Sequence, residues 1–131
     1  MNTKLRGYKE EDKGFIYSTW LRGLYHGSDW FSEIDKASFF TNYSKVVDLI
    51  LSKNDTQVRV ACDPEDEDVI YGYTILGPGL VHYCFVKEPW RAKGLARLLL
   101  GAHEVKSVTH ITKPGNAIRK KLLWTFDPFK V

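Results

Sequence analysis

The sequence predicts a single α/β domain over residues 1–131, with a mixed, mostly antiparallel sheet carrying helices on both faces. Three observations predict it. Two stretches in the first half carry apolar residues at helical spacing. Three consecutive runs between residues 57 and 86 are alternating or rich in β-branched and aromatic residues. Beyond them, helical and short extended segments alternate to the end, the pattern of a sheet that helices cover.

Taken in order, residues 4–8 (KLRGY) read as a short strand. From Glu11 to about Leu24, the residues Ile16, Trp20 and Leu24 recur every fourth position, which predicts a helix with one apolar face. Residues 25–35 (YHGSDWFSEID) carry Gly, Ser and Asp punctuation and read as a loop. A second helix is predicted from about Lys36, with Phe39, Tyr43, Val46, Val47 and Ile50 on one stripe, ending in the turn cluster Lys53-Asn54-Asp55. Residues 57–62 (QVRVAC) and 69–76 (VIYGYTIL) read as strands joined by the acidic turn 63–68 (DPEDED), hence a hairpin with a solvated tip. Gly77-Pro78-Gly79 breaks the chain before a third strand, residues 80–86 (LVHYCFV). A helix from about Arg91 to Val105 follows, with Leu95, Leu98, Leu99 and Ala102 inward. Residues 107–112 read as a strand, 116–123 as a short helix and 124–131 as a terminal extended piece.

Composition narrows the function classes. No apolar run approaches the 18 residues of a membrane span, and the polar start MNTKLRGYKEEDKG is unlike a signal peptide, so the expected location is the cytoplasm. Cys62 and Cys84 form no C-x-x-C pair and lack zinc-type His spacing, so neither a disulfide scaffold nor a metal site is expected. Charge is asymmetric: residues 1–85 hold 9 Lys/Arg against 13 Asp/Glu, and residues 86–131 hold 10 against 3. Such a chain is suited to an anion at one end and a cation at the other, although the same charges equally serve solubility.

The chemistry concentrates in residues 85–96, FVKEPWRAKGLA. A buried strand runs into a short loop, and a helix opens on Arg91-x-x-Gly94-x-Ala96. A first helical turn leaves backbone N–H groups unpaired, and its dipole favours an anion. Gly94 and Ala96 are small enough to let a phosphate approach those amides, and Arg91 and Lys93 add positive charge. Neither a G-x-G-x-x-G nor a G-x-x-x-x-G-K-[ST] run is present.

In these residues the chain resembles the GNAT acyl-CoA N-acyltransferases, whose signature is a strand ending in an apolar residue and, five positions on, [Q/R]-x-x-G-x-[G/A]. Val86 followed by Arg91-Ala92-Lys93-Gly94-Leu95-Ala96 fits it without a gap, and the predicted element order matches over about residues 4–126. The likeness extends to small members encoded by bacteriophages, for which the location would be the host cytoplasm. The resemblance implies an acyl-CoA, acetyl-CoA above all, with no metal. Backbone groups of Cys84, Phe85 and Val86 would pair with the pantetheine arm. Amides of Arg91, Ala92, Lys93, Gly94, Leu95 and Ala96 would hold the pyrophosphate. Asn116, aligned with an Asn that contacts the cofactor, would serve likewise or act as an ordinary helix N-cap.

Two departures bear on catalysis. Relatives often carry a carboxylate six positions before the residue aligned with Val86, where this chain has Leu80. Strand alternation puts Leu80, His82 and Cys84 on one face, making His82 the substitute base, or a satisfied structural histidine. The common Tyr seven residues after the Asn is here Leu123, which leaves thiolate departure to water, to Tyr83 or to His110. For the acceptor, Tyr25, His26, Asp29 and Trp30 combine aromatics with a carboxylate and suit a primary amine, or pack on the core. The expected activity is N-acyl transfer to that amine by direct attack. The alternatives are a catalytically inactive binder of acyl-CoA or of protein, with a homodimer among its forms, and a phage-type acyltransferase on nucleobases or nucleic acid. The last rests on the basic, aromatic C-terminus of Lys113, Arg119, Lys120, Lys121, Trp124, Phe129 and Lys130.

Overall fold

Strand β1 (Lys4–Gly7) is held at the sheet edge by an ion pair as well as by its ladder. Arg6 makes a bidentate contact with Asp12 at 2.8 and 2.9 Å, both side chains being almost fully buried. Asp12 closes the short 3-10 turn that leads into α1 (Lys13–Gly27), so this pair fixes the angle between strand and helix. The structure, a computed structural model, describes residues 2–131. Two further helices precede the main strands, the one-turn α2 (Asp29–Ser32) and α3 (Lys36–Ser52). Then come β2 (Gln57–Cys62), β3 (Ile70–Gly77), β4 (Leu80–Val86), α4 (Leu95–Leu100), β5 (Ser107–Val108), α5 (Lys113–Lys121) and β6 (Thr125–Phe126).

The six strands lie in sequence order. The first three pairings are antiparallel, and β4–β5 and β5–β6 are parallel. Ile16, Trp20, Leu24, Phe39, Val47 and Ile50 of α1 and α3 bury themselves against Val60, Tyr73 and Ile75 on one face. On the other, Leu95 and Leu99 of α4 cover Ala61 and Tyr71. The expected mixed sheet with helices on both faces is therefore the observed architecture.

Several boundaries differ from the sequence reading, each for a local reason. Residues 25–35 are not a loop: α1 runs on to Gly27, and Ser28 caps α2 by accepting from the Phe31 amide. The helix expected over 91–105 is only Leu95–Leu100. Ala92 (φ 61°) and Gly94 (φ 81°) in the left-handed region delay its start, and Gly101 (φ 54°) stops it. Leu98 and Ala102 consequently face solvent, while Leu95 and Leu99 point inward. The strand expected over 107–112 holds only Ser107 and Val108, and the terminal piece holds only Thr125 and Phe126 before a 3-10 turn. Helix α5 starts at Lys113 because Thr112 caps it, accepting from the Gly115 amide at 3.3 Å. It ends with Leu123 in the left-handed conformation (φ 61°). There Leu123 N–H bonds Lys120 O and Trp124 N–H bonds Arg119 O, a helix stop usually built on glycine. No residue of α5 is buried.

Candidate functional site

The site is framed by the divergence of β4 from β5. These strands pair only at Leu80↔Ser107 and Val81↔Val108, with a last backbone bond from Thr109 N–H to Val81 O at 3.2 Å. Beyond it β4 continues for five residues along β3 while the other chain turns away to α5. Lys87 N–H bonds Tyr71 O, and in an antiparallel ladder the backbone groups of successive residues face alternate sides. Those of Phe85 and Tyr83 thus face β3, and those of Cys84 and Val86 face the open fork. Arg91 Nε–H already bonds Val86 O at 2.9 Å. Of the backbone that the sequence assigns to a pantetheine arm, Cys84 is on the open side and free of β3, Val86 is there with its carbonyl engaged, and Phe85 faces away.

A one-residue bulge shapes the strand. Ile75 opposes Tyr83 and Leu76 opposes Val81, so His82 is the extra residue. The bulge breaks the expected alternation of Leu80, His82 and Cys84. Cys84 packs toward α4 with Leu95 and Leu99, whereas Tyr83 and Phe85 pack toward α1. His82 and Leu80 line a cavity of about 380 Å³ shared with Lys53, Asp55, Pro78 and Lys130. A larger hollow, about 640 Å³, lies among Tyr8, Lys13, Tyr17, Lys45, Asp48 and Val58, away from the fork. Burial raises the Cys84 thiol to about 11 and lowers the His82 imidazole to about 4. The thiol is therefore protonated at neutral pH, and His82 is uncharged.

At the end of β4 the chain makes a 3-10 turn, Glu88–Trp90, whose Trp90 stacks on Tyr71 at 3.9 Å, anchoring the following residues. Gly72 brings β3 close beneath: a Cβ there would lie 2.5 Å from Phe85 O. In the turn at 91–94, Arg91 and Lys93 are exposed, and no atom lies within 4 Å of where a Cβ of Gly94 would stand. That open, positively charged turn next to the fork fits an anionic group. Leu95 is buried and offers only its backbone. Asn116 does not open α5; it is the fourth residue of the helix, accepting from Arg119 Nε–H at 2.8 Å.

The proposed acceptor residues separate. Tyr25 turns inward, donating its hydroxyl to Ile34 O at 2.9 Å and packing on Phe39. His26, Asp29 and Trp30 face solvent, with Asp29 paired to Lys113 at 3.1 Å across to α5. On its α1 side the fork adjoins an aromatic wall, of which the sequence reads Trp20 and Tyr43 as core faces and Tyr83 and His110 as candidate acids. Trp20 stacks on Tyr83 at 5.5 Å, and His110 stands edge-on to both Trp20 and Tyr43 at 5.7 Å. Among the described residues, Trp20 Nε1 and His110 Nε2 are buried without a hydrogen-bond partner. The sequence names His110 only as a candidate acid and gives Thr109 no role, because the residues just past a two-residue strand have no readable period.

No protein-family model and no curated protein matches the chain. Solved structures do. A proposed acetyl transferase from Pyrococcus furiosus superposes with a TM-score of 0.70 at 14% identity, over 96% of this chain and 95% of that one. AAC(6')-Iy, solved with a bisubstrate analog of CoA and acetylneamine, matches with a TM-score of 0.52 at 15% identity, over 93% and 87%. Apo YjaB from Escherichia coli matches at 0.54 and 21% identity over 76% of this chain, which spans 63% of its length. The chain has the GNAT acetyltransferase fold.

Proposed function

We propose that the chain is an acyl-CoA-dependent N-acyltransferase that passes an acyl group, acetyl above all, to a primary amine. The observation that carries this reading is the fork. The β4 edge presents the backbone of Cys84 and Val86 for strand-like pairing with an extended arm. The Arg91–Ala96 turn lies at its end, with open space over Gly94 and two exposed cations for phosphate oxygens. Both are contiguous, as a ligand with a linear arm and a charged head requires. Trp20, Tyr43 and Tyr83 then lie on the acceptor side, with the exposed Asp29 and Trp30 at its rim. His82 is the base to test first. Its Nδ1 lies 2.9 Å from Thr109 Oγ1.

Calorimetric titration with acetyl-CoA tests the reading, followed by thiol release with a panel of primary amines. Binding with release on one or more amines is expected; no binding of acetyl-CoA by the folded protein overturns it. One observation favours a second reading, a binder without turnover. Leu80 stands where relatives often carry a carboxylate, and Leu123, in place of the usual Tyr, is 87% exposed. Binding without release on every amine supports that alternative.

A further inference from the structure

Where the β4–β5 ladder stops, side chains take over its task. His110 Nδ1 lies 3.0 Å from His82 O and 2.8 Å from Thr109 Oγ1, and Thr109 Oγ1 lies 2.9 Å from His82 Nδ1. The proton placement follows from chemistry. A carbonyl oxygen only accepts, so His110 Nδ1 carries the hydrogen and donates it to His82 O and Thr109 Oγ1. Thr109 Oγ1 and His82 Nδ1 share the third bond, the hydroxyl donating when the His82 hydrogen is on Nε2 and accepting when it is on Nδ1. This ring of three spans from the bulge of β4 to the last residues of β5. Thr109 and His82 are only 2% and 3% exposed, so water does not compete for these bonds.

We propose that His82, Thr109 and His110 form a clasp that sets where and how widely the fork opens, and so positions the pantetheine arm of acyl-CoA. The inference rests on the acyl-CoA reading and adds positioning residues to it. Two features make the location telling. The clasp is the first link after the backbone ladder ends, so its length fixes the separation of the diverging chains. It also lies at the bulge, two residues before the Cys84 backbone that the arm would use. The turn at Arg91–Ala96 lies at the far end of β4 and does not touch the clasp, so the two halves of the ligand report on different residues.

The test uses Thr109→Val, which keeps the shape and removes the hydroxyl, with Thr109→Ser as the conservative rescue. Affinities for CoA and for its nucleotide half, 3′-phosphoadenosine diphosphate, are measured by calorimetry on proteins whose melting is recorded in parallel. Thr109→Val is expected to weaken CoA by about tenfold, the scale of one or two buried hydrogen bonds. The nucleotide half should stay within about twofold, as its contacts lie outside the clasp. Thr109→Ser should restore CoA affinity. If Thr109→Val is folded and binds CoA as the wild type does, the clasp idea is overturned, even where turnover falls. Equal loss for CoA and its nucleotide half overturns it too, since that marks a general disturbance. If the wild type binds neither ligand, the acyl-CoA reading itself fails.

Discussion

Arg91 occupies two roles that one guanidinium can combine. Its Nε holds Val86 O, while its terminal nitrogens stay exposed beside Gly94. Arg97 is also exposed, but it lies inside α4, one turn along from that loop. Arg91→Ala should therefore weaken acetyl-CoA by roughly 1.5–3 kcal/mol, the worth of a well-placed charge-assisted bond, and Arg97→Ala by much less. Calorimetry on the two variants decides, and equal losses would point to general charge. His82 carries a second expectation. Burial, and then the nearby Lys53, lower its imidazole to about 4, with Asp55 opposing. If it is the base, turnover should fall only as pH drops toward 4, and His82→Gln should remove that limb. A limb near 6.5 that survives the substitution would assign the proton to another group. The Gly94 motif was legible because it is a pattern of residue types at fixed spacing. The facing of Cys84 relative to His82 was not, because a bulge overrides the period of two on which the facing of strand residues rests.

Elements with a clear period were legible, as was the short β1, whereas α2, β5 and β6 were not, and the reason is cooperative packing. Helix α3 and strands β2, β3 and β4 have enough residues for a period to show, and each matches its expected span to within a residue or so. Helix α2, β5 and β6 are two to four residues long and exist because neighbours hold them. The Arg6–Asp12 pair shows such a tertiary constraint. Burial alone would raise the Asp12 carboxyl, yet the Arg6 contacts and the Lys9 amide outweigh it and leave the group below its ordinary value. Asp12→Ala strands a buried guanidinium, so a loss of about 3–5 kcal/mol is expected in denaturant unfolding. A change under 1 kcal/mol would mean that β1 and α1 are held by their apolar contacts alone.

For the whole molecule, acid stability follows from the same buried imidazoles. Burial lowers His82 and His110 to about 4, each from an ordinary 6.5; the nearby His82 adds to the effect on His110, and burial raises the hydroxyl of Tyr43 beside it to about 12. The folded state thus takes up these protons less readily than the unfolded chain. Stability should be full above pH 6.5, decline as pH falls from 6.5 toward 4, and level off for these groups below that. The loss is on the order of 3 kcal/mol for each, at about 1.4 kcal/mol per unit. Denaturation midpoints across pH 7 to 4 measure it, and a flat profile would mean that the clasp opens to water. The charges of the two halves meet in space, as in the Asp29–Lys113 pair. The acidic hairpin tip is partly neutralised by Lys4 and Lys9 on Glu67, while α5 and the C-terminus keep their lysines exposed. Helix α5 has a further consequence, which concerns time. Because it buries no residue, its hydrogen bonds are guarded by little besides the Thr112 cap, the Leu123 stop and the Asp29–Lys113 pair. Its amides should exchange with deuterium far sooner than those of β3, whose residues are all buried, through an opening that leaves the sheet intact. A ligand seated in the fork would close that opening, so slowed exchange in residues 113–121 would register occupancy even where no acyl group is transferred.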